Sequence, residues 1–496
     1  MAKVKTCIVC GGPAGSNEHV FPAGFGGRRT NRGIYCNTHD QSYAGLLGEL
    51  TSQFDFLNAS LGVRPDHSDE KKVVYEREPV SGAEIAMSDD SVKFSSPRLV
   101  SETPTENGVV VSMSFPDQKS AQEWIKEQEA AGKRVSASQL TETRYFPGPI
   151  LYRRSFGGDI GLGAFAYVMQ TFFAQTFPDV ARSGALSDFI AFTQAVATVA
   201  RLGGSDESEA ESDDLKAARS ALGLTLQPFG GALPVWWDFD IPPGLAPNAF
   251  DFGHRVTVGM DQSDGQLYGR ISLFSTFHFA ACLGKTTIPV QSCEVITDID
   301  PLAERAGRGD IHEMTVANAD SRVRVPEDRI ADLTRAIGDG TQQRRFHDLG
   351  QRILNRQLAK LASRVATALA PGVHLPEHER HALVERVVDQ ESQQVWRLVS
   401  GVADQLAERF RHDKQEIVAK LFELLVARDS GSVSGLSMAA QGSLASAKIV
   451  LVDQMTHDWI HGVLDESRIV DLMGRGPGMA LVGQALSNHV LANLPP

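Results

Sequence analysis

Apolar residues follow one pattern in the middle of the chain and a different pattern further on. Residues 159–202 are apolar in two segments, from Ile160 to Phe173 and again from Leu186 to Val199, which predicts two buried helices. Apolar and polar residues then alternate over 254–260 and 267–274, on either side of the turn sequence Ser263-Asp264-Gly265. This alternation predicts a β-hairpin, which a third strand over 277–283 would follow.

Helical spacing dominates the last third of the chain. Leu354, Leu358 and Leu361 recur at intervals of three and four residues, and later apolar residues as far as 425 keep this spacing. The segment 327–496 is therefore predicted to be mostly helical. Its amphipathic helices are expected to pack their apolar faces against one another. Such faces also mediate assembly with a second protein.

These patterns divide the chain into three predicted regions and define an α+β multidomain protein. A polar stretch at residues 64–72 separates a short N-terminal module, residues 1–66, from a central α+β region, residues 72–326. The helical C-terminal region follows over residues 327–496. Within the central region, residues 205–214 are almost all Ser, Asp and Glu, which predicts an exposed and disordered loop.

The composition is that of an acidic globular protein. The 496 residues carry a formal net charge of −13, and 42% of them are hydrophobic. This length allows two or three domains. The sequence contains no apolar stretch of about eighteen residues and no apolar signal-peptide core, so we expect a cytoplasmic protein without a membrane partner.

The charge is distributed unevenly between the N-terminal module and the rest of the chain. Residues 1–64 hold six Lys or Arg against four Asp or Glu, which leaves a net charge of −15 for the remainder. An acidic surface does not attract DNA along its length. Any contact with nucleic acid is therefore expected to be local. The activity of the protein is expected to be restrained, or to be directed to its DNA by a partner or by assembly.

Two pairs of potential metal ligands bracket the N-terminal module. Two residues separate Cys7 from Cys10, and two residues separate Cys36 from His39. This spacing allows each pair to present its side chains to one tetrahedral zinc ion. A structural zinc would also stabilise a module that is too short to bury a large core. A redox Cys-x-x-Cys motif and unpaired buried cysteines are the alternatives, and the paired spacing favours zinc.

An acidic residue and a histidine stand side by side between these two pairs. Glu18 and His19 are followed by Pro22 and a glycine-rich stretch, which predicts a tight loop after a short strand. A carboxylate can hold a divalent cation while a neighbouring imidazole deprotonates water. Asp40 directly follows the last predicted zinc ligand, so a zinc ion would fix its position. Glu18 and Asp40 are therefore candidate ligands of one catalytic cation.

The order of these motifs resembles that of the HNH endonucleases, whose catalytic module has a ββα-metal fold with a structural zinc. The resemblance covers roughly residues 5–65 and comprises Cys-x-x-Cys, Glu-His-x-x-Pro, the glycine pair and the final Cys-x-x-His. It implies that His19 is the general base and that Asn31 braces the loop and orients this base. It also implies that Glu18 and Asp40 hold a catalytic Mg²⁺ or Mn²⁺.

Two positions depart from the pattern of that family. His39 stands where the family usually has a fourth cysteine, and Asp40 stands where it has Asn or His. Both replacements suit the expected metals, because histidine binds zinc well and aspartate is a good magnesium ligand. The added negative charge of Asp40 is expected to tighten cation binding or to alter the metal preference. Asn37 is a nearby alternative to Asp40.

The resemblance implies metal-assisted hydrolysis of DNA phosphodiester bonds by an endonuclease. Arg28, Arg29 and Arg32 are candidate contacts to the DNA phosphates, although an ordinary solvated loop is an equally good interpretation. Nucleases with a large accessory region resemble regulated effectors of bacterial defence against phages or plasmids. We therefore expect DNA as a partner and, through the central and C-terminal regions, a protein partner or a homo-oligomer.

Two other functions stay open at this point. One is a zinc-stabilised nucleic-acid-binding or complex-assembly subunit without hydrolytic activity, which metal-dependent cleavage would distinguish from a nuclease. The other is a nuclease regulated by a small ligand bound in the central region, near Trp236 or His254. The histidines at 374–381 and 457–461 offer a second metal site, but ordinary structural histidines are the favoured interpretation.

Overall fold

The computed structural model contains both helices and sheets. It is 50% helical and 20% strand, which confirms the predicted mixture of the two. Among the residues that it describes, no helix is both long enough and apolar enough to cross a membrane. The described residues are 5–66, 70–77, 84–89, 92–106, 108–116, 118–137, 156–203, 212–239, 247–288, 291–303, 311–317, 323, 325–389, 391, 411–416, 418–420 and 438–475.

Contacts along the chain divide the molecule into two compact units, and each unit takes its residues from several parts of the sequence. The first unit comprises Met1–Val74, Ser88–Asp90 and Arg153–Gly350, and the second comprises Tyr75–Met87, Ser91–Tyr152 and Gln351–Pro496. The first unit therefore unites the motifs of the N-terminal segment with much of the predicted central region. The predicted domain boundaries stay predictions.

The described strands form four sheets. In chain order the strands are β1 (Glu18–His19), β2 (Thr30–Asn31), β3 (Val74–Arg77), β4 (Glu84–Met87), β5 (Val92–Phe94), β6 (Arg98–Thr105), β7 (Gly108–Ser114), β8 (Val235–Trp237), β9 (His254–Met260), β10 (Gln266–Leu273), β11 (Phe277–Lys285), β12 (Cys293–Ile299) and β13 (Ile311–Ala317). β1 pairs with β2, β6 pairs with β7, and β3, β4 and β5 form a third sheet. The largest sheet belongs to the first unit and has the order β13-β12-β9-β10-β11-β8.

The helices include both of the buried helices predicted between residues 159 and 202. In chain order the α-helices are α1 (Asn37–Ser42), α2 (Ala44–Gln53), α3 (Asp55–Leu61), α4 (Gln118–Ala130), α5 (Gly158–Thr176), α6 (Pro178–Ala181), α7 (Ser187–Leu202), α8 (Asp213–Thr225), α9 (Arg329–Gly338), α10 (Thr341–Leu369), α11 (Met438–Ile460) and α12 (Glu466–Val470). Residues 377–389 are also helical. α5 and α7 are the predicted pair, and their buried positions agree with the apolar composition of the stretch.

The predicted hairpin lies at the centre of the large sheet. β9 and β10 pair antiparallel, with Val258 opposite Gly269. Gly265 closes the turn at a φ of +70°, a left-handed conformation that suits a residue without a Cβ. β11 pairs with β10 along its length and supplies the predicted third strand. Both predictions are confirmed.

One face of the large sheet packs against α5. The rings of Phe165 on α5 and Phe279 on β11 stack with their centroids 3.8 Å apart. Gly269 on β10 lies beneath the same helix, where a Cβ would come within 2.9 Å of the Met169 sulfur. Glycine at this position therefore allows the helix to approach the sheet closely.

Aromatic side chains anchor the N-terminal segment to this core. Phe25 packs against Phe54 and Phe274, with ring centroids 5.9 and 6.3 Å away. The imidazole of His254 lies 5.2 Å from the ring of Phe21 and 5.7 Å from that of Phe25. Burial lowers the pKa of His254 to about 3, so this side chain is neutral at physiological pH. The N-terminal segment is therefore part of the core of the first unit.

The predicted acidic loop ends earlier than its composition suggests. α8 begins at Asp213, inside the stretch 205–214 that is predicted to be a disordered loop. The hydroxyl of Ser212 caps this helix by accepting a hydrogen bond from the backbone N–H of Leu215 at 3.2 Å. Ser at the cap and Asp in the first turn stabilise a helix N-terminus, so the same residue types that indicate disorder also indicate a helix start. Residues 205–211 lie outside the described part of the chain.

The second unit has a helical core of its own. Leu358 and Val365 of α10 pack with Val384 from the helical residues 377–389, with Met455 of α11 and with Leu472 after α12. This packing confirms the helical spacing predicted for α10. The later helical stretch predicted as far as residue 425 lies largely outside the described residues.

Candidate metal and catalytic site

The first predicted zinc half-site lies on a tight turn. The backbone N–H of Cys7 donates to the carbonyl of Gly12 at 2.7 Å, and that of Gly11 donates to the carbonyl of Cys7 at 2.9 Å. Gly11 has a φ of +70°, which glycine adopts without strain. The backbone N–H of Ile8 donates to the carbonyl of Ile34 at 3.0 Å. This contact places the turn beside the segment that carries the second half-site.

The second half-site lies at the start of α1. Cys36 is the residue before the helix, and His39 lies within it. Nδ1 of His39 is 3.1 Å from the sulfur of Cys36 and 3.7 Å from that of Cys7. The ligand atoms of Cys7, Cys10, Cys36 and His39 all lie within 4.8 Å of one another. This arrangement is compatible with a metal such as zinc, as the sequence predicts.

The two thiols nearest to His39 ionise differently. A hydrogen bond from the backbone N–H of His39 lowers the pKa of Cys36 to about 7. Burial raises the pKa of Cys7. Cysteine binds metals as the thiolate, so Cys36 is ready to act as a ligand near neutral pH, whereas binding at Cys7 must displace its proton. Three sulfurs and one imidazole nitrogen form a donor set that zinc prefers.

The histidines of the second unit make ordinary pairwise contacts. His457 and His461 stack with ring centroids 4.2 Å apart, and Asp458 beside them accepts a hydrogen bond from Arg468 at 2.7 Å. His381 pairs with an aspartate at 3.2 Å. Three or more His, Cys, Asp or Glu side chains that lie close together can hold a metal. In the part of the chain that the structure describes, only the cluster of three cysteines and His39 has this arrangement.

β1, β2 and α1 follow one another in the N-terminal segment, in the order strand, strand, helix. β1 pairs antiparallel with β2, so that Glu18 lies opposite Asn31 and His19 lies opposite Thr30. The loop between the strands folds back closely at Gly27, where a Cβ would lie 2.1 Å from the backbone oxygen of Phe21. Steric crowding therefore explains the second glycine of the sequence motif, Gly27, because any side chain there would push the loop open.

Glu18 is buried beside a second carboxyl group. The side chain accepts a hydrogen bond from the hydroxyl of Tyr167 at 2.7 Å and lies within hydrogen-bond reach of Asp40. Burial, and then the neighbouring Asp40, raise the pKa of Glu18 to about 9. The hydroxyl of Ser16 donates to Asp40. Two carboxyl groups this close cannot both ionise without a cost, which a proton or a bound cation removes.

His19 lines a cavity and pairs with an aspartate that lies beyond the motif. Nε2 of His19 is 3.1 Å from a carboxylate oxygen of Asp66, and the imidazole is 16% exposed. Asp66 is not among the predicted site residues, because no spacing marks it in the sequence and it lies in a polar stretch that predicts a domain boundary. The cavity has a volume of about 500 Å³ and is lined by Glu18, His19, Pro22, Ala23, Gly24, Leu47, Gly48, Thr51, Ser52, Asp55 and Lys72.

Asn31 supports the loop that follows β2. Its side-chain oxygen accepts a hydrogen bond from the backbone N–H of Gly33 at 2.7 Å, and its side-chain nitrogen donates to Gln175 on α5. These contacts fit the bracing part of the role that the sequence resemblance implies for Asn31. Its part in orienting His19 stays a prediction, and Asp66 is the side chain that pairs with this imidazole.

The three arginines predicted to contact DNA have partners within the protein. Arg28 donates to the backbone carbonyl of Ala303, and Arg29 lies 2.8 Å from the carboxylate of Glu313. Arg32 is exposed and donates to a nearby asparagine side chain at 3.4 Å. The first two side chains therefore tie the loop to distant parts of the first unit. Contact of these arginines with DNA stays a prediction.

A buried polar network supports Tyr167 and, through it, Glu18. The ring of Tyr167 stacks with that of Tyr35, with centroids 5.7 Å apart. Gln170 donates to the hydroxyl of Tyr35 at 3.0 Å and accepts from the hydroxyl of Thr193 at 2.9 Å. α5 and α7 thus hold one side of the Glu18 environment. The sequence offers no signal for this contact, because Tyr167 lies 149 residues from Glu18 within an apolar helix.

Comparison with known proteins adds no relative. No protein-family model, no curated protein and no solved structure matches this chain. The chemistry of the site itself is therefore the basis for assigning a function.

Proposed function

We propose that this protein is a metal-dependent HNH-type endonuclease that hydrolyses DNA phosphodiester bonds with His19 as the general base. One observation carries the proposal: Glu18 approaches Asp40 and lines the same cavity as His19. The strand, strand, helix order of β1, β2 and α1 supports a ββα interpretation, because the motif residues lie on these elements in that order.

The donor atoms at Glu18 and Asp40 suit a hard divalent cation. Mg²⁺ and Mn²⁺ prefer oxygen ligands, and the two carboxyl groups provide them side by side. When bound, such an ion would stabilise negative charge on the phosphate and on the leaving 3′ oxygen. Glu18 and Asp40 would hold it, and the hydroxyl of Tyr167 would orient the Glu18 carboxylate.

His19 would act as the base through the ring nitrogen that does not face Asp66. A carboxylate 3.1 Å from Nε2 keeps the proton on that nitrogen and leaves Nδ1 unprotonated. Nδ1 can then take a proton from the water that attacks phosphorus. The water oxygen forms a bond to phosphorus while the bond from phosphorus to the 3′ oxygen breaks, and the leaving oxygen takes a proton from solvent.

The zinc cluster would serve this chemistry indirectly. His39 and Asp40 are consecutive residues of α1, so a metal held by the cluster fixes the start of the helix. The position of Asp40 relative to Glu18 then depends on the zinc. This dependence explains why a structural metal would lie next to a catalytic one.

The biological role that fits this architecture is a regulated effector. Most of the chain lies outside the proposed catalytic segment and carries a net charge of −15, which would not hold DNA by itself. We infer a bacterial defence nuclease in the cytoplasm, directed against phage or plasmid DNA. A protein partner or a second copy of the chain would raise its activity above the basal cutting of the protein alone.

The alternative is a zinc-stabilised binding or assembly subunit without hydrolytic activity. The engagement of Arg28 and Arg29 within the protein favours it, because two of the three expected phosphate contacts are then occupied. Under this alternative, the pair of His19 and Asp66 is an ordinary structural contact.

The metal dependence of plasmid cleavage tests the proposal. Supercoiled plasmid is incubated with the protein without added cation, with Mg²⁺ and with Mn²⁺. Wild type and His378→Ala are expected to cut with either cation, because His378 is 81% exposed and lies outside the site. Glu18→Ala is expected to lose cutting. Cation-independent cutting, or full activity in Glu18→Ala, would contradict the proposal, and DNA binding without cutting would favour the alternative.

A further inference from the structure

The cavity beside His19 contains a cationic residue that lies outside the sequence motif. Lys72 lines this cavity together with Glu18 and His19, and it is the one Lys or Arg among the described lining residues. Its backbone N–H donates to the carbonyl of Val63 at 3.0 Å, and the backbone N–H of Val63 donates to Asn58 of α3 at 2.9 Å. These bonds fix the backbone of Lys72 to the end of α3.

Neighbouring cations are engaged elsewhere in the first unit. Lys71 pairs with the buried carboxylate of Asp89 at 3.0 Å. Arg28 and Arg29 bind a backbone carbonyl and a glutamate far along the chain. Among the described residues, Lys72 has no ion pair and no side-chain hydrogen bond. Its charge is therefore available to a molecule that enters the cavity.

The remaining lining groups explain why that charge matters. Asp55 and, once a divalent cation displaces its proton, Glu18 add negative charge to this lining, so Lys72 supplies the one Lys or Arg side chain among the described lining residues that attracts a phosphate. The Ser52 hydroxyl adds a possible hydrogen-bond donor to the same lining. A cavity of about 500 Å³ is large enough for a nucleotide-sized group.

We propose that the ammonium of Lys72 binds a phosphate of the DNA strand that is cut, beside the base His19. The inference rests on the proposed nuclease function and names a substrate contact within it. An ammonium binds phosphate as a point charge and without reading sequence, so it would position the strand for attack on any sequence. The three arginines of the loop would then be secondary to Lys72 in holding this phosphate.

The test compares Lys72→Met with Lys216→Met, which removes an exposed lysine of α8 outside the cavity. Affinity for a short DNA duplex is measured at several salt concentrations without added divalent cation. Loss of one phosphate contact is expected to reduce the slope of log affinity against log salt by about 0.9 and to weaken binding at low salt about three- to tenfold. Lys216→Met should keep the wild-type slope, and Lys72→Arg should restore it.

Cleavage with Mg²⁺ under single-turnover conditions separates this inference from the proposed function. A slower rate in Lys72→Met, with a wild-type melting temperature, supports the contact. If wild type cuts while Lys72→Met keeps both the wild-type slope and rate, the Lys72 contact is wrong and the nuclease stands. If wild type neither binds the duplex nor cuts plasmid, both the Lys72 contact and the nuclease function are contradicted. Lys72→Gln provides the same comparison if the methionine variant does not fold.

Discussion

At the residue scale, the hydroxyl of Tyr167 is a neutral donor to a buried carboxyl group. Tyr167→Phe removes this hydrogen bond from Glu18 and leaves the ring in place to stack with Tyr35. The free energy of unfolding is expected to fall by about 1–2 kcal/mol. Affinity for Mn²⁺ is expected to fall about tenfold, because an outer hydrogen bond no longer orients the ligand.

Urea unfolding and Mn²⁺ titration followed by electron paramagnetic resonance measure these two effects. Tyr75→Phe is the matched control, because this tyrosine is 58% exposed and lies outside the site. Wild-type Mn²⁺ affinity in Tyr167→Phe would show that the hydroxyl does not orient a cation ligand.

The ionisation of Glu18 links stability to pH when no divalent cation is added. Folding raises the pKa of Glu18 from 4.5 to about 9, so the native state binds this proton more tightly than the unfolded chain. The stabilisation is complete below pH 4.5 and is lost as the pH rises through 9. The contribution of Glu18 to the free energy of unfolding is expected to fall by up to about 1.4 kcal/mol per pH unit within this window.

Glu18→Gln isolates this contribution, because an amide cannot ionise. Relative to wild type, the variant is expected to gain stability as the pH rises from neutral towards 9, in urea unfolding without added cation. Saturating Mn²⁺ should remove the difference by stabilising wild type. Parallel stability curves for the two proteins would contradict the raised pKa.

At the element scale, α1 depends on the metal cluster that begins it. Cys36→Ser removes one ligand and is expected to lose the zinc and to destabilise the first unit by about 3 kcal/mol or more. Because α1 also carries Asp40, cutting is expected to fall by about 100-fold or more. Zinc content and plasmid cleavage measure both losses. Cys293→Ser on β12 should keep zinc and activity, and retention of zinc in Cys36→Ser would contradict the assignment of this ligand.

β9 carries the buried His254 and β11 carries the half-buried His278, and folding favours the neutral form of both side chains. Burial lowers the pKa of His254 and of His278 to about 3, and for His278 the nearby charges of Arg345 and Arg255 add to the effect. The unfolded chain binds these protons below pH 6.5, so the stabilisation is present above pH 6.5 and is lost as the pH falls towards 3. Each histidine is expected to contribute up to about 1.4 kcal/mol per pH unit to this loss.

His254→Asn tests this acid sensitivity. The variant cannot take up the proton, so its stability relative to wild type is expected to improve as the pH falls from 6.5 towards 4. The comparison with wild type cancels contributions of other groups, including the opposite contribution of Glu18. Urea unfolding at several pH values gives the slopes, and a constant difference between the proteins would contradict the lowered pKa.

At the scale of the whole molecule, local sequence patterns predict local structure well. The spacing of two residues predicts that Cys7 lies beside Cys10 and that Cys36 lies beside His39, because each pair lies on one turn. Alternation around Gly265 is enough to predict the hairpin, because neighbouring residues alone set its register. These contacts join residues that are close in sequence, whereas the meeting of the two pairs joins residues as far apart as Cys7 and His39, which are separated by 32 positions.

The environment of the candidate site could not be predicted in this way. Tyr167 reaches Glu18 across 149 residues, and Arg29 reaches Glu313 across 284. Such contacts depend on how α5 and the large sheet pack around the N-terminal segment, which no periodicity encodes. Asp66 is close to His19 in space, but its polar surroundings in the sequence indicate a boundary and conceal the contact.

The central claim is that His19 is the base of a hydrolytic site that a structural zinc supports. Its most direct test is plasmid cleavage with Mg²⁺ or Mn²⁺ by wild type and His19→Ala, with zinc content measured in the same samples. The account predicts that both proteins hold about one zinc and that the variant loses cutting by about 100-fold or more. If both proteins hold zinc and neither cuts, or if the variant cuts as fast as wild type, the claim is contradicted.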